Sequence, residues 1–230
     1  MLKILLILTF LLPISVVAGD AMSFSKSKRI LAKEIYKDNQ VSFYCGCDYS
    51  LKKSPYSKKK KLVPDWSSCG YKPRKQPKRA SRIEWEHVMP AHHFGKHLQC
   101  WKDGGRKACK KDPLFKKMES DMHNLVPAVG EVNGDRSNYK YGMVPGEKHA
   151  YGSCDVEINF KTKTAEPAPN VRGDIARTYL YMSDRYGTRL STQQRKLMQA
   201  WNKQDPIDTW EKKKNENVER VQGNGNHFIR

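Results

Sequence analysis

The side chains best equipped for chemistry in this 230-residue chain crowd into residues 82–138. That stretch holds Glu84, Glu86, His87, Arg106, His123, Asn124, Glu131, Asn133, Asp135, Arg136 and Asn138. The set suits hydrolysis of a phosphodiester. A histidine titrates near neutrality and can take a proton from water. Oxygen donors can hold a hard cation that offsets phosphate charge and steadies the leaving oxygen. An arginine can bind phosphate oxygens as a fork. These residue types occur in most soluble proteins, so their arrangement decides whether they form a site.

The elements around them set that arrangement. Residues 82–88 alternate like a strand, and Pro90 stops it. Neighbouring side chains in a regular strand point to opposite faces. Glu86 and His87 therefore share a site only where the strand ends or bulges. A strand that stayed regular would put Glu84 and Glu86 on one face, which makes Glu84 the alternative ligand. Asn133-Gly134-Asp135 is a turn sequence in its own right. Asn133 thus reads either as a turn former or as a ligand, with Asp135 and Asn138 as alternatives.

Residues 99–113 read as a loop around Gly104-Gly105, and residues 50–80, rich in lysine and proline, as a long basic surface loop. Short β-type runs are expected at 41–44 and 123–128, with a polar stretch over 130–141. Helices are expected over 24–37, 171–186, from a Ser191 or Thr192 cap through Trp201, and from Pro206 to about Val218, with a helix or turn over 115–122. No repeat and no linker interrupts the chain, so the expectation is one mixed α+β domain.

Residues 1–18 read as a signal peptide. Lys3 precedes an apolar run, and Val16 and Ala18 stand at the −3 and −1 positions of a cleavage site before Gly19. The run is short for a membrane span, and residues 19–230 would form a soluble, exported domain. Six cysteines follow the signal: Cys45, Cys47, Cys69, Cys100, Cys109 and Cys154. An even count in an exported chain points to disulfides. Cys100 and Cys109 flank the Gly-Gly pair and read as a local bridge. Cys47 is then paired with Cys69 and Cys45 with Cys154, among the several connectivities that six cysteines allow. Zinc is the rival, but Cys45-Gly46-Cys47 lacks the paired two-residue gaps of a structural zinc site.

The formal net charge is +19. A domain this basic attracts polyanions. Charge alone fits equally an exported protein that binds DNA or another polyanion without cutting it. His93 and His97 stand four apart, but no HExxH pattern accompanies them. His92 and His93 read as surface or loop residues, and His123 as a hydrogen-bonded structural one. Trp85, Trp101, Trp201 and Trp210 read as core residues rather than base-stacking platforms.

Five blocks give the segment a further meaning: IEWEHVMPA (residues 83–91), FG (94–95), CW (100–101), GGRKAC (104–109) and DMHNLVPAVGEVNGDRSN (121–138). In order and spacing they resemble the endonuclease I family of periplasmic and secreted bacterial nucleases. FYCGCDY (43–49), SCGY (68–71) and RVQGN (220–224) extend the resemblance over most of the chain. It implies a ββα-metal active site, also called the His-Me finger. By position it makes His87 the general base, Glu86 and Asn133 the metal ligands, and Arg106 the phosphate-stabilising arginine. It implies Mg2+, with Mn2+ or Ca2+ as alternatives. It also implies a monomer that cuts single- and double-stranded DNA, and RNA, to 5′-phosphate ends. The chain departs from the family in two places. His227 stands where a proline is expected, and there are six cysteines where many members have eight.

Overall fold

The computed structural model describes residues 22–146 and 149–230, so the expected signal at 1–18 lies outside the described residues. Strand β3 (Ile83–His87) pairs antiparallel with β4 (Leu125–Val129) in unbroken register, from Ile83↔Val129 to His87↔Leu125. Every residue of β4 is buried, as its apolar sequence LVPAV requires. It runs directly into helix α6 (Gly130–Arg136), which packs against both strands. The junction admits only glycine, because a Cβ on Gly130 would lie 2.5 Å from the Arg79 carbonyl oxygen.

Helix α6 replaces the turn expected at Asn133-Gly134-Asp135. Tertiary contacts override the local preference here. The Glu131 carboxylate accepts from the Tyr71 hydroxyl and from the backbone N–H groups of Arg74, Lys75 and Gln76. Asp135 accepts from Arg74 and Tyr151. Most of these partners come from residues 71–76, remote in sequence, which a local reading does not see.

Between β3 and β4 lie α3 (Ala91–Gly95), α4 (Gln99–Cys109) and α5 (Pro113–Ser120). The loop expected over 99–113 is thus mostly helical, with a kink at Gly104-Gly105. Gly105 sits at φ 63°, ψ −154°, a conformation open only to glycine. Helix α5 starts two residues before its expected position, because Pro113 opens it and the Asp112 side chain accepts from Phe115 N–H.

The basic stretch 50–80 is likewise structured. It contains the antiparallel hairpin β1 (Tyr49–Lys53) and β2 (Lys60–Pro64), and the short helix α2 (Pro77–Ala80). The run at 41–44 forms no strand, only an isolated bridge from Val41 to Asp48. A small sheet absent from the sequence reading, β5 (Lys140–Tyr141), β6 (Val156–Asn159) and β7 (Thr164–Pro167), follows in the order β5-β7-β6.

The expected C-terminal helices are α7 (Arg172–Tyr186), α8 (Thr192–Gln204) and α9 (Thr209–Gln222). Ser191 caps α8 as expected. Helix α9 starts after Pro206, where Asp208 and Glu211 form a capping box. The main core includes Phe115, Met118, Val129, Tyr179 and Trp201. A second cluster, with Leu31, Ile35, Leu125 and Val218, ties α1 (Phe24–Ile30) and the wider turn Leu31–Ile35 to α9. The bridges are Cys45–Cys154, Cys47–Cys69 and Cys100–Cys109, the three pairs expected. The domain is α+β, and among the described residues no helix is long and apolar enough to cross a membrane.

Candidate active site

His87 is the last residue of β3. Val88 N–H still donates to the Asn124 carbonyl at 3.0 Å, and the Asn124 side chain then accepts from Met89 N–H at 2.7 Å and donates to the Met89 carbonyl at 3.0 Å. The His87 ring lies between Phe24, with centroids 4.8 Å apart, and Phe94, at 6.0 Å. Its Nε2 is 2.8 Å from the Glu119 carbonyl oxygen. A carbonyl can only accept, so Nε2 carries the proton and Nδ1 holds the free lone pair. Burial pushes the imidazole down to about 3, with Arg106 and Arg136 adding to the effect and the Glu119 carbonyl opposing it. The ring is therefore held neutral, with the Nδ1 lone pair unprotonated.

Glu86 points to the opposite face of β3 and is 4% exposed. Its Oε1 lies 2.8 Å from Arg136 Nη1 and accepts from the Tyr44 hydroxyl at 3.1 Å. That hydroxyl also meets Tyr141 at 2.5 Å. Burial pushes the Glu86 carboxyl up to about 7 against the pull of Arg136. Arg136 donates as well to the carbonyls of His87 and Val88, so one guanidinium ties α6 to the end of β3.

Glu84 shares the Glu86 face, as the regular register requires, but both its oxygens are taken. Arg82 and Arg79 bind it as forks, and Asn133 Nδ2 donates to Oε2 at 3.0 Å. Because a carboxylate only accepts, this bond fixes the Asn133 amide with Oδ1 turned away from Glu84. Arg106, just past the α4 kink and with its side chain 46% exposed, donates from Nε to Glu119 Oε1 at 2.8 Å.

Glu86, His87, Arg106 and Asn133 line one cleft of about 450 Å3, with Glu84 and Asn138 also on its wall. Glu86 and His87 both line this cleft although they leave opposite faces of β3. Asp135 is turned to Arg74 and Tyr151 instead. One carboxylate and one amide oxygen are the donors of a hard cation that keeps several waters. No group of three or more His, Cys, Asp or Glu gathers as a metal cage among the described residues. The donors present thus fit a hydrated magnesium-type ion and not a zinc cage.

The sequence pattern described as Endonuclease I matches residues 23–230. This chain belongs to the endonuclease I family. It is 50% identical over 223 residues to a periplasmic deoxyribonuclease of Aeromonas hydrophila, covering 96% of this chain and 91% of the relative. It is 51% identical over 213 residues to an extracellular deoxyribonuclease of the same organism, covering 92% and 90%. An Endonuclease-1 of Buchnera aphidicola subsp. Acyrthosiphon pisum (strain APS) is 46% identical over 201 residues, covering 87% and 78%.

Within this endonuclease I chain, the structure gives positions to residues that the sequence left without a role. Glu119 holds both His87 and Arg106, Arg136 and Tyr44 hold Glu86, and Phe24 walls the cleft beside His87. Their partners lie far off in sequence, so no spacing signal marked them. His92 and His93 belong to α3 and not to a loop. His123 is structural as expected, with Nε2 on the Asn224 carbonyl at 2.8 Å. Trp201 is buried, while Trp85, Trp101 and Trp210 pack against the cores as partly buried residues.

Proposed function

We propose that this chain is an exported, Mg2+-dependent, sequence-nonspecific endonuclease, acting as a monomer in the periplasm or the medium. Its substrates are single- and double-stranded DNA, and RNA, cut to 5′-phosphate ends. One observation carries the reading: a neutral imidazole with a fixed tautomer shares its cleft with an oxygen donor pair and an arginine.

His87 Nδ1 takes a proton from water, and the hydroxide attacks phosphorus in line with the 3′ oxygen. The P–O3′ bond breaks, and the leaving oxygen is protonated by solvent. The Glu119 carbonyl keeps the imidazole oriented as its positive charge develops. Arg106 meets the charge that builds on the phosphate oxygens. Glu86 and Asn133 would hold Mg2+, which when bound offsets charge on the phosphate and the leaving oxygen. This arrangement is that of a His-Me finger built on β3, β4 and α6.

Supercoiled plasmid and an RNA of similar length, each incubated with MgCl2 and with EDTA, test the reading. Nicking in MgCl2 and none in EDTA is the expected result. Plasmid that is retarded in a gel but stays intact in MgCl2 would favour a binding protein without catalysis.

A further inference from the structure

We propose that the hairpin β1–β2 is a second nucleic-acid contact, outside the cleft, that grips the phosphate backbone of the duplex being cut. This rests on the endonuclease reading above. The hairpin presents Lys52, Lys53, Lys58, Lys59, Lys60 and Lys61, and no acidic residue lies between Tyr49 and Pro64. Residues 50–53 and 58–61 are all exposed. None of the ion pairs among the described residues uses these lysines.

The register sharpens the point. Lys52 stands opposite Lys61, and Lys53 opposite Lys60. Like charges directly opposite each other weaken a strand pair. A lone two-stranded hairpin is marginal to begin with. Its lysine ladder therefore works against its own fold, and a polyanion laid along it would remove that repulsion.

The hairpin is also held in place. The hydroxyls of Ser54 and Ser81 meet at 3.2 Å and both residues are buried, while Trp66 Nε1 donates to the Ala80 carbonyl at 3.3 Å. The first bond fastens the lysine-rich end just before β3, and the second ties the chain after β2 to the end of α2. At ~3.3 Å per residue, the strand covers only about 13 Å from Ile83 to His87, the length of about four base pairs. Lys78 lies in the intervening sequence, while Arg79 and Arg82 are engaged with Glu84. A duplex seated in the cleft would thus need to extend only a few base pairs to reach the hairpin. Leu51 and Tyr56, 62% and 49% exposed, give the hairpin some apolar surface. An anionic lipid surface is accordingly the competing occupant in the test, but the anchor beside β3, whose far end lines the cleft, favours the duplex.

The test replaces Lys58, Lys59, Lys60 and Lys61 with Gln, first on a His87→Ala background where binding is read without cleavage. The probe is a duplex of about 30 base pairs, compared with a tetranucleotide that fills the cleft alone. Loss of four phosphate contacts should weaken duplex binding about tenfold or more and lower the slope of log K against log salt by about 3–4. Tetranucleotide binding should change less than about twofold. In the active background the KM for long duplex should rise with kcat unchanged. Lys52→Gln/Lys53→Gln, an independent variant, should act in the same direction.

An unchanged salt slope, or equal losses on both probes, would overturn the proposal. So would intact duplex binding with lost binding to phosphatidylglycerol vesicles, which would assign the hairpin to a lipid surface. If the native chain bound duplex through the hairpin yet cut nothing in MgCl2, the endonuclease reading would fail and the hairpin contact would stand.

Discussion

The imidazole of His87 and the backbone carbonyl of Glu119 are joined by a 2.8 Å hydrogen bond, and the carboxylate of the same Glu119 accepts from Arg106. The end of α5 therefore orients two groups of different chemistry. His87→Ala removes the proton acceptor without touching the basic surface. Plasmid cleavage should fall by roughly 10²–10⁴-fold. Duplex retardation in a gel should stay near that of the native chain, and cleavage at ordinary rates would remove His87 from its role.

Glu119→Gln keeps the carbonyl and deletes only the charge that steers Arg106. The expected loss is about tenfold in kcat, against about 10²-fold for Arg106→Ala. Because one residue acts through the other, the double variant should cost little more than Arg106→Ala alone. Additive losses in single-turnover rates would place Glu119 elsewhere in the reaction.

Arg136→Ala strands a buried carboxylate. The Glu86 and Arg136 side chains are 5% and 1% exposed. Removing one partner of such a pair destabilises by about 3–5 kcal/mol. Urea unfolding should show that loss, whereas Arg106→Ala, at the exposed rim, should change stability by under ~1 kcal/mol.

Burial holds His93 down at about 4, with Arg136 adding to the effect. The unfolded chain binds that proton at about 6.5 and the folded chain only near 4. Stability from this group is thus complete above about 6.5 and lost as the pH falls toward 4. Melting temperatures measured across that window should fall less steeply for His93→Asn than for the native chain. Equal slopes would show that the ring is not held neutral.

The Cys100–Cys109 bridge closes over the α4 kink that carries Arg106. Replacing both cysteines with Ser should lower stability by about 2–3 kcal/mol. It should also reduce kcat at temperatures where the variant remains folded, because the arginine loses its platform. A variant that was less stable but fully active would separate the bridge from the site.

How much of this was legible in the sequence depends on how far each cause reaches along the chain. β3, the long C-terminal helices and the Ser191 cap followed from periodicity and local side-chain chemistry. The hydrophobic run of β4 was visible too, but its start was not, because Met122–Asn124 forms a single helical turn capped by Asp121. The α6 helix was hidden, since Asn133-Gly134-Asp135 favours a turn until Tyr71 and Arg74 reach in from elsewhere. The loops expected at 50–80 and 99–113 failed for another reason. Lysine, proline and glycine content suggested irregular backbone, yet a hairpin and a glycine-kinked helix both accommodate those residues. In the site, the four residues carried over from the resemblance do line one cleft. Glu86 and His87 both sit in the regular register at the end of β3, with no bulge between them. What spacing could not supply was the set of contacts holding them, above all Glu119 and Arg136.

The Cys45–Cys154 bridge spans 109 residues and encloses every side chain from Glu84 to Asn138 on the cleft wall. Viewed in time, it is the last of the three clasps that can close as the chain is made. It forms only after the whole catalytic segment has been delivered to the same side as Cys45. On the proposed function, a reducing cytoplasm withholds that closure. Protection of the producing cell's own nucleic acid would then be built into the order in which the chain is synthesised, exported and oxidised.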